Sequence, residues 1–196
     1  MWSLTAELAL DIVGDLPEGA QVLVAEATAV TSAPDPFIQC RITAEDGTVV
    51  VTAGARMVYV PATAPETRPD SVVALDVADG GTSLDAMLGL TRSRTEQGWQ
   101  ISVTNPGRWV NAFGIMHGGV SAAVAEFAAA EAVRAHNPAL STAHMHTTFL
   151  RPVAADAAFA TTARLLHVGR SSAVVEVLGH GGRGELCTAS VVTARL

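Results

Sequence analysis

Asn111-Ala-Phe-Gly114-Ile-Met-His117-Gly118-Gly119 runs directly into Val120-Ser-Ala-Ala-Val-Ala-Glu126-Phe127-Ala-Ala-Ala-Glu131, and this stretch decides the reading of the chain. A glycine-rich loop delivers the backbone into an alanine-rich helix, expected over roughly residues 117–136. Asn137-Pro138 ends it, because proline disfavours helical geometry in the residue before it. A helix that is apolar almost all round is normally buried, so a carboxylate inside one needs a reason. Catalysis is the reason read here for Glu126.

On either side of the helix the pattern is that of strands. Leu90–Thr95 and Trp99–Thr104 form a hairpin through Glu96-Gln97-Gly98. After the helix come strand candidates at Thr142–Leu150, Ala157–His167, Ser171–Leu178 and Glu185–Leu196. A long apolar helix followed by such a meander must be buried against one face of a sheet. The first part resembles the same meander without a helix: Ser3–Val13, Ala20–Val30, Phe37–Ala44 and Thr48–Val60, with a hairpin turn at Asp46-Gly47. Residues 21–60 slide onto 157–196 without a gap, and Thr5-Ala6 falls on Thr142-Ala143, which reads as a degenerate internal repeat. The expected organisation is a half repeat over 1–62, a Pro/Ala/Thr/Asp-rich linker over 63–84, and a complete unit over 85–196. A half repeat without its helix leaves an apolar face that demands a cover. Either a further hairpin and helix precede it, or it packs on the second domain or a neighbouring subunit. The expectation is that it lies beside the complete unit as a pseudo-protomer without a working site.

The bulk numbers bound the function. A chain of 196 residues, 49% apolar with mean hydropathy +0.33, can build a sizeable core. No apolar run approaches the roughly 18 residues of a membrane span. Glu7, Asp11 and Asp15 near the start do not read as a secretory signal, and the isolated Cys40 and Cys187 read as buried thiols rather than a disulfide framework. A cytoplasmic protein is expected. Residues 1–70 hold ten acids against three arginines, whereas 71–196 hold nine of each. An acidic chain without a basic cluster argues against nucleic acid.

The pattern Asn111-x-x-Gly114-x-x-His117-Gly118-Gly119 with an acid at Glu126 resembles the hotdog-fold acyl-CoA thioesterases, of the phenylacetyl-CoA (PaaI-like) and 4-hydroxybenzoyl-CoA thioesterase type. The likeness covers about residues 85–196. It implies an α+β hotdog fold, one long central helix wrapped by an antiparallel sheet, here preceded by the degenerate half repeat. It also implies an acyl- or aryl-CoA substrate, and no cofactor is expected. In such enzymes the first motif glycine, here Gly118, offers its N–H to the thioester carbonyl. The helix acid, here Glu126, acts as nucleophile or general base, and the loop residue, here Asn111, positions carbonyl or water. Some relatives carry Thr or Ser one turn beyond the acid, where this chain has Ala130.

The chemistry suits those positions. Hydrolysis develops negative charge on the carbonyl oxygen, and the first N–H groups of a helix lack internal partners and sit at its positive end. Gly118 and Gly119 leave a substrate room to approach. His117 belongs to the same set, either moving protons or capping the helix, with the cap favoured. Gly118 and Glu126 lie about 12 Å apart along the axis, while attacking group and oxyanion donor must both be about 3 Å from one carbon. One helix cannot supply both, so the expected site pairs Gly118 and Asn111 of one subunit with Glu126 of another. At least a homodimer follows, and a tetramer is compatible. For the phosphates of coenzyme A the candidates are Arg170 with Ser171, in a strand turn, and Arg151 at a strand end. Trp99, Trp109 and Phe113 could line an acyl pocket or pack in the core. His144 and His146 alternate on one strand face without a third metal ligand. The competing functions are a non-catalytic acyl-CoA-binding or regulatory hotdog protein and a hotdog hydratase or dehydratase. The latter would show an Asp/His pair at the helix start, which this sequence lacks.

Overall fold

The structure, a computed structural model, describes residues 2–32, 34–61, 83–96 and 98–196. The linker expected over 63–84 therefore falls almost wholly outside the described residues. At its end, Leu84–Leu88 forms a five-residue helix, α1, that the sequence reading missed; Gly89 closes it in the left-handed region (φ 64°). Ten strands follow the expected order: β1 (Trp2–Ile12), β2 (Leu23–Ala29), β3 (Phe37–Ala44), β4 (Val49–Val60), β5 (Leu90–Thr95), β6 (Gly98–Val103), β7 (Ser141–Phe149), β8 (Phe159–Val168), β9 (Ser172–Gly181) and β10 (Leu186–Arg195). The long helix, α2, spans Gly118–Arg134.

Alanine is the strongest helix former, and in α2 it also lets the helix approach the sheet closely. Val124, Ala125, Ala128, Ala129 and Ala132 are buried against Ile101, Phe159, Val175, Val177 and Val192. The alternation of β9 is strict: Ala173, Val175, Val177, Gly179 and Gly181 face inward. The helix ends as expected, with Asn137 donating its amide to the carbonyls of Gly169 and Arg170 at 3.2 Å each. One helix covered by a curved antiparallel sheet is the hotdog arrangement, built by residues 90–195. No described helix is long and apolar enough to cross a membrane.

All ten strands make one sheet, in the order β2-β3-β4-β1-β7-β10-β9-β8-β6-β5. The units join where β1 pairs antiparallel with β7. Outward from this seam the first unit runs β1-β4-β3-β2 and the second β7-β10-β9-β8, the same sequence of connections. The offset that lays Thr5-Ala6 on Thr142-Ala143 also lays Ala9 on His146, and those two residues are direct cross-strand partners.

Cross-strand partners point to the same side of a sheet. Leu8 and Leu10 oppose Thr147 and Met145, which are buried beneath α2. Register then places Ala55, Ala53 and Val51 of β4, Ile38, Cys40 and Ile42 of β3, and Leu23, Ala25, Ala27 and Ala29 of β2 on that side too. The opposite side of the first unit carries Glu7, Asp11, Arg41, Thr52 and Arg56. This sheet is therefore amphipathic, with its apolar side on the face that α2 covers only in the second unit. Leu23 is 51% exposed and Ile12 47% exposed. On the polar side, His144 Nδ1 meets Asp11 at 2.8 Å, and His146 Nε2 lies 3.9 Å from Glu7. The two histidines thus serve the seam.

Candidate active site

The approach to α2 is a loop closed on itself. The Asn111 side-chain oxygen accepts from the N–H groups of Phe113 (2.9 Å) and Ile115 (3.4 Å). Gly114 takes φ 71°, the left-handed region that favours glycine, and its N–H donates to the Asn111 carbonyl. Asn111-x-x-Gly114 is therefore a turn-forming pair. The loop is then pinned at two points, Met116 N–H on the Val153 carbonyl and His117 N–H on the Trp109 carbonyl, at 2.9 and 2.7 Å.

His117 is the N-cap of α2, and its Nδ1 accepts from Gly119 N–H at 3.1 Å. That contact gives His117 a capping role and engages the Gly119 donor. Gly118 N–H, by contrast, has no hydrogen-bond partner among the described residues. It stands free at the positive end of a 17-residue helix. The ring of Phe149 lies beside it: a Cβ added at Gly118 would come within 3.3 Å of that ring.

Gly118 opens into a cavity of about 600 Å³ at the seam, within the usual size of small-molecule sites. Asn111, Met116, His117, Gly119 and Phe149 line it from the second unit, and Leu4, Thr5, Leu8, Ala55, Val58 and Val60 from the first. Arg151 stands at its edge, exposed, with one guanidinium N–H donated to the Leu186 carbonyl at 2.9 Å. Trp99 and Trp109 pack against the core, outside this cavity.

Glu126 is elsewhere. It is half-buried on the flank of α2 that faces β7, and its Oε1 accepts from the Thr142 hydroxyl at 2.8 Å. Sequence reasoning found no hydroxyl for this acid, since Ala130 stands one turn on. The sheet supplies one instead, and no helical spacing announces it. Arg170 and Ser171 are exposed in the turn tied to the C-terminal end of α2, roughly 25 Å from Gly118 by helix length. One chain thus gathers Asn111, His117, Gly118, Gly119 and Arg151 at one cavity and leaves Glu126, Arg170 and Ser171 outside it. Glu131, the other helix acid, is bound to Arg92 (3.1 Å) and Arg134 (3.3 Å).

Residues 113–188 match the family model described as "Thioesterase superfamily". Comparison with curated proteins found no match. Among solved structures, acyl-CoA thioesterase II TesB2 from Mycobacterium marinum is 14% identical, covers 98% of this chain and 80% of its own, and superposes with a TM-score of 0.66. A TesB protein from Mycobacterium avium subspecies paratuberculosis is 11% identical, with 98% and 78% covered and a TM-score of 0.65. The PaaI protein of the Escherichia coli phenylacetic acid degradation operon is 20% identical, with 57% and 86% covered and a TM-score of 0.53. These likenesses concern the fold, which in the two mycobacterial structures extends over both units. The matched segment holds the Gly118 loop, α2 and strands that wrap it, so this part of the chain is similar to the thioesterase superfamily.

Proposed function

We propose that this protein is a cytoplasmic acyl-CoA thioesterase that hydrolyses an acyl- or aryl-CoA thioester to the free acid and coenzyme A. The observation that carries the reading is the unpaired Gly118 N–H, aimed from a helix start into a roomy and mostly apolar cavity. The thioester carbonyl oxygen takes that N–H, and its developing negative charge is stabilised there. Glu126 either draws a proton from the attacking water, or attacks the carbonyl itself to give a mixed anhydride that water then hydrolyses to the free acid and the regenerated carboxylate; coenzyme A leaves as the thiol, its proton coming from that water or from solvent. Arg151, at the cavity edge, is the candidate for a coenzyme A phosphate. Arg170 and Ser171 reach that role only from a second chain.

The acid comes from a second copy. Helix geometry separates Glu126 from Gly118 within one chain, and the first unit brings no helix of its own. The exposed edge of β7 is already taken by β1, so a second copy approaches through faces. Two apolar faces are only partly covered among the described residues: the half-buried Ala123, Phe127 and Ala130 of α2, and the helix-side face of the first unit. They are self-complementary. A twofold dimer in which each α2 stripe lies on the other copy's first unit covers both and brings each Glu126 toward the opposite seam.

The position of Glu126 outside the cavity also favours one other reading, a hotdog protein that binds acyl-CoA without cleaving it. Glu126→Gln separates the two, because the amide keeps the Thr142 contact and removes the base. Release of free thiol from a panel of acyl-CoAs should fall at least about 100-fold with unfolding midpoint unchanged. An unmodified protein that binds acyl-CoA and releases no thiol would favour the binding reading.

A further inference from the structure

Ser121 stands in the first turn of α2, one turn on from Gly118, and both residues line the seam cavity. It is only 3% exposed. Its N–H is engaged by the His117 carbonyl at 3.2 Å, but its hydroxyl has no hydrogen-bond partner among the described residues. Other buried hydroxyls are accounted for. Thr147 and Ser190 bond each other at 2.9 Å, and Thr161 reaches the Ile101 carbonyl at 3.3 Å. Thr188 Oγ1 is unpartnered but sealed from open space, packed over Gly179. Ser121 Oγ is not sealed in that way, and the open space beside it is the cavity. An unpaired hydroxyl on a buried residue is uncommon and calls for an explanation.

Helix geometry relates this hydroxyl to the free Gly118 N–H. Residues three apart lie on one face of a helix, so Gly118 and Ser121 present an N–H and an O–H to the same space. The rise between them is about 4.5 Å. A thioester carbonyl held on the Gly118 N–H therefore has the Ser121 hydroxyl one turn away. An oxygen on the third acyl carbon spans that interval, whereas an oxygen on the second carbon falls short. The nearby polar side chains of Asn111 and His117 are already engaged in holding the loop and capping α2. Much of the remaining wall is apolar: Met116 and Phe149 from the second unit, Leu4, Leu8, Val58 and Val60 from the first.

We infer that Ser121 is a specificity-determining residue: its hydroxyl bonds an oxygen carried on the third carbon of an aliphatic acyl group bound in the cavity. The inference rests on reading the seam cavity as the acyl site. A site built to bond a substrate oxygen discriminates against the analogue lacking it, because its own polar group is then left unpaired.

The test compares hexanoyl-CoA with 2-hydroxyhexanoyl-CoA and both enantiomers of 3-hydroxyhexanoyl-CoA, measuring Kd by calorimetry and kcat/KM by thiol release. One 3-hydroxy enantiomer should be favoured over hexanoyl-CoA about tenfold, the equivalent of one net hydrogen bond. The 2-hydroxy ester should gain nothing comparable. Ser121→Ala should bring the ratio close to one, and so should Ser121→Cys, which keeps the volume but bonds weakly. Alanine is the better helix former, so Ser121→Ala should melt no lower than the parent. Equal binding of hexanoyl- and 3-hydroxyhexanoyl-CoA by the parent, or a preference that survives either substitution, overturns the inference even if hydrolysis proceeds. An equal gain for the 2-hydroxy ester overturns it too. A preference in Kd that Ser121→Ala abolishes, with no thiol released from any ester, upholds it and rejects the thioesterase reading. Failure of all the esters to bind rejects both.

Discussion

Gly118 and Gly119 are neighbours in sequence, yet replacing each by alanine should do different things. At Gly118 the new methyl would meet Phe149 Cε1 at 3.3 Å and Cζ at 3.4 Å, so the ring must yield by a few tenths of an ångström. The ring is an adjustable side chain, and alanine is intrinsically better in a helix by up to about 1 kcal/mol. Stability of Gly118→Ala should therefore stay within about 1 kcal/mol of the parent. Activity should not. The methyl and the displaced ring crowd the free N–H at the cavity mouth, and an oxyanion donor is typically worth about 100- to 1000-fold in turnover. That corresponds to about 2.7–4 kcal/mol of transition-state stabilisation. At Gly119 a methyl would sit 3.2 Å from His117 Nδ1, the acceptor of its own N–H. Displacing that cap should cost about 0.5–2 kcal/mol of stability and comparatively little turnover. Thermal unfolding together with kcat/KM on one acyl-CoA measures both effects. If Gly118→Ala retains half or more of the activity in a folded protein, the Gly118 N–H is not the oxyanion donor.

Two further outcomes are expected. The Ser83 hydroxyl, and then the Arg92 guanidinium 2.6 Å away, hold the Asp85 carboxyl down to about 2. Because the folded-state value is depressed, this contribution is present above the ordinary carboxylate range and is lost as pH falls from about 4 towards 2. Thermal melts between pH 5 and 2 should show Asp85→Asn losing less stability over that interval than the parent. Burial, and next the neighbouring Glu185 carboxylate, push the Cys187 thiol up. In the folded protein at pH 8 a thiol reagent should modify Cys40 first, with Cys187 reacting only on unfolding.

Local features were the most legible in the sequence. β3 and β5 fall where alternation and turns put them, and α2 sits between His117 and Asn137-Pro138 because alanine content and proline act within a few residues. The complete hotdog unit was readable for the same reason, as every connection in it is short. α1 was missed because five residues hold too little periodicity, although Ser83 and Gly89 mark both its ends. The seam was not legible in the sequence. Pairing of β1 with β7 joins residues more than 130 apart, such as Asp11 and His144, and no local signal states it. At the site, Gly118 followed from helix-end physics. Thr142 beside Glu126 did not, since it depends on packing between helix and sheet.

The central claim is that a glycine donor of one copy works with the acid of another, and mixing two disabled chains tests it most directly. Gly118→Ala and Glu126→Gln, each inactive alone, should be co-refolded in equal amounts and assayed for thiol release. Random pairing makes about half the dimers mixed, each with one intact site, so activity should rise to about a quarter of the parent's. Activity that stays at the mean of the two separate variants would place donor and acid in the same chain or deny them a common site.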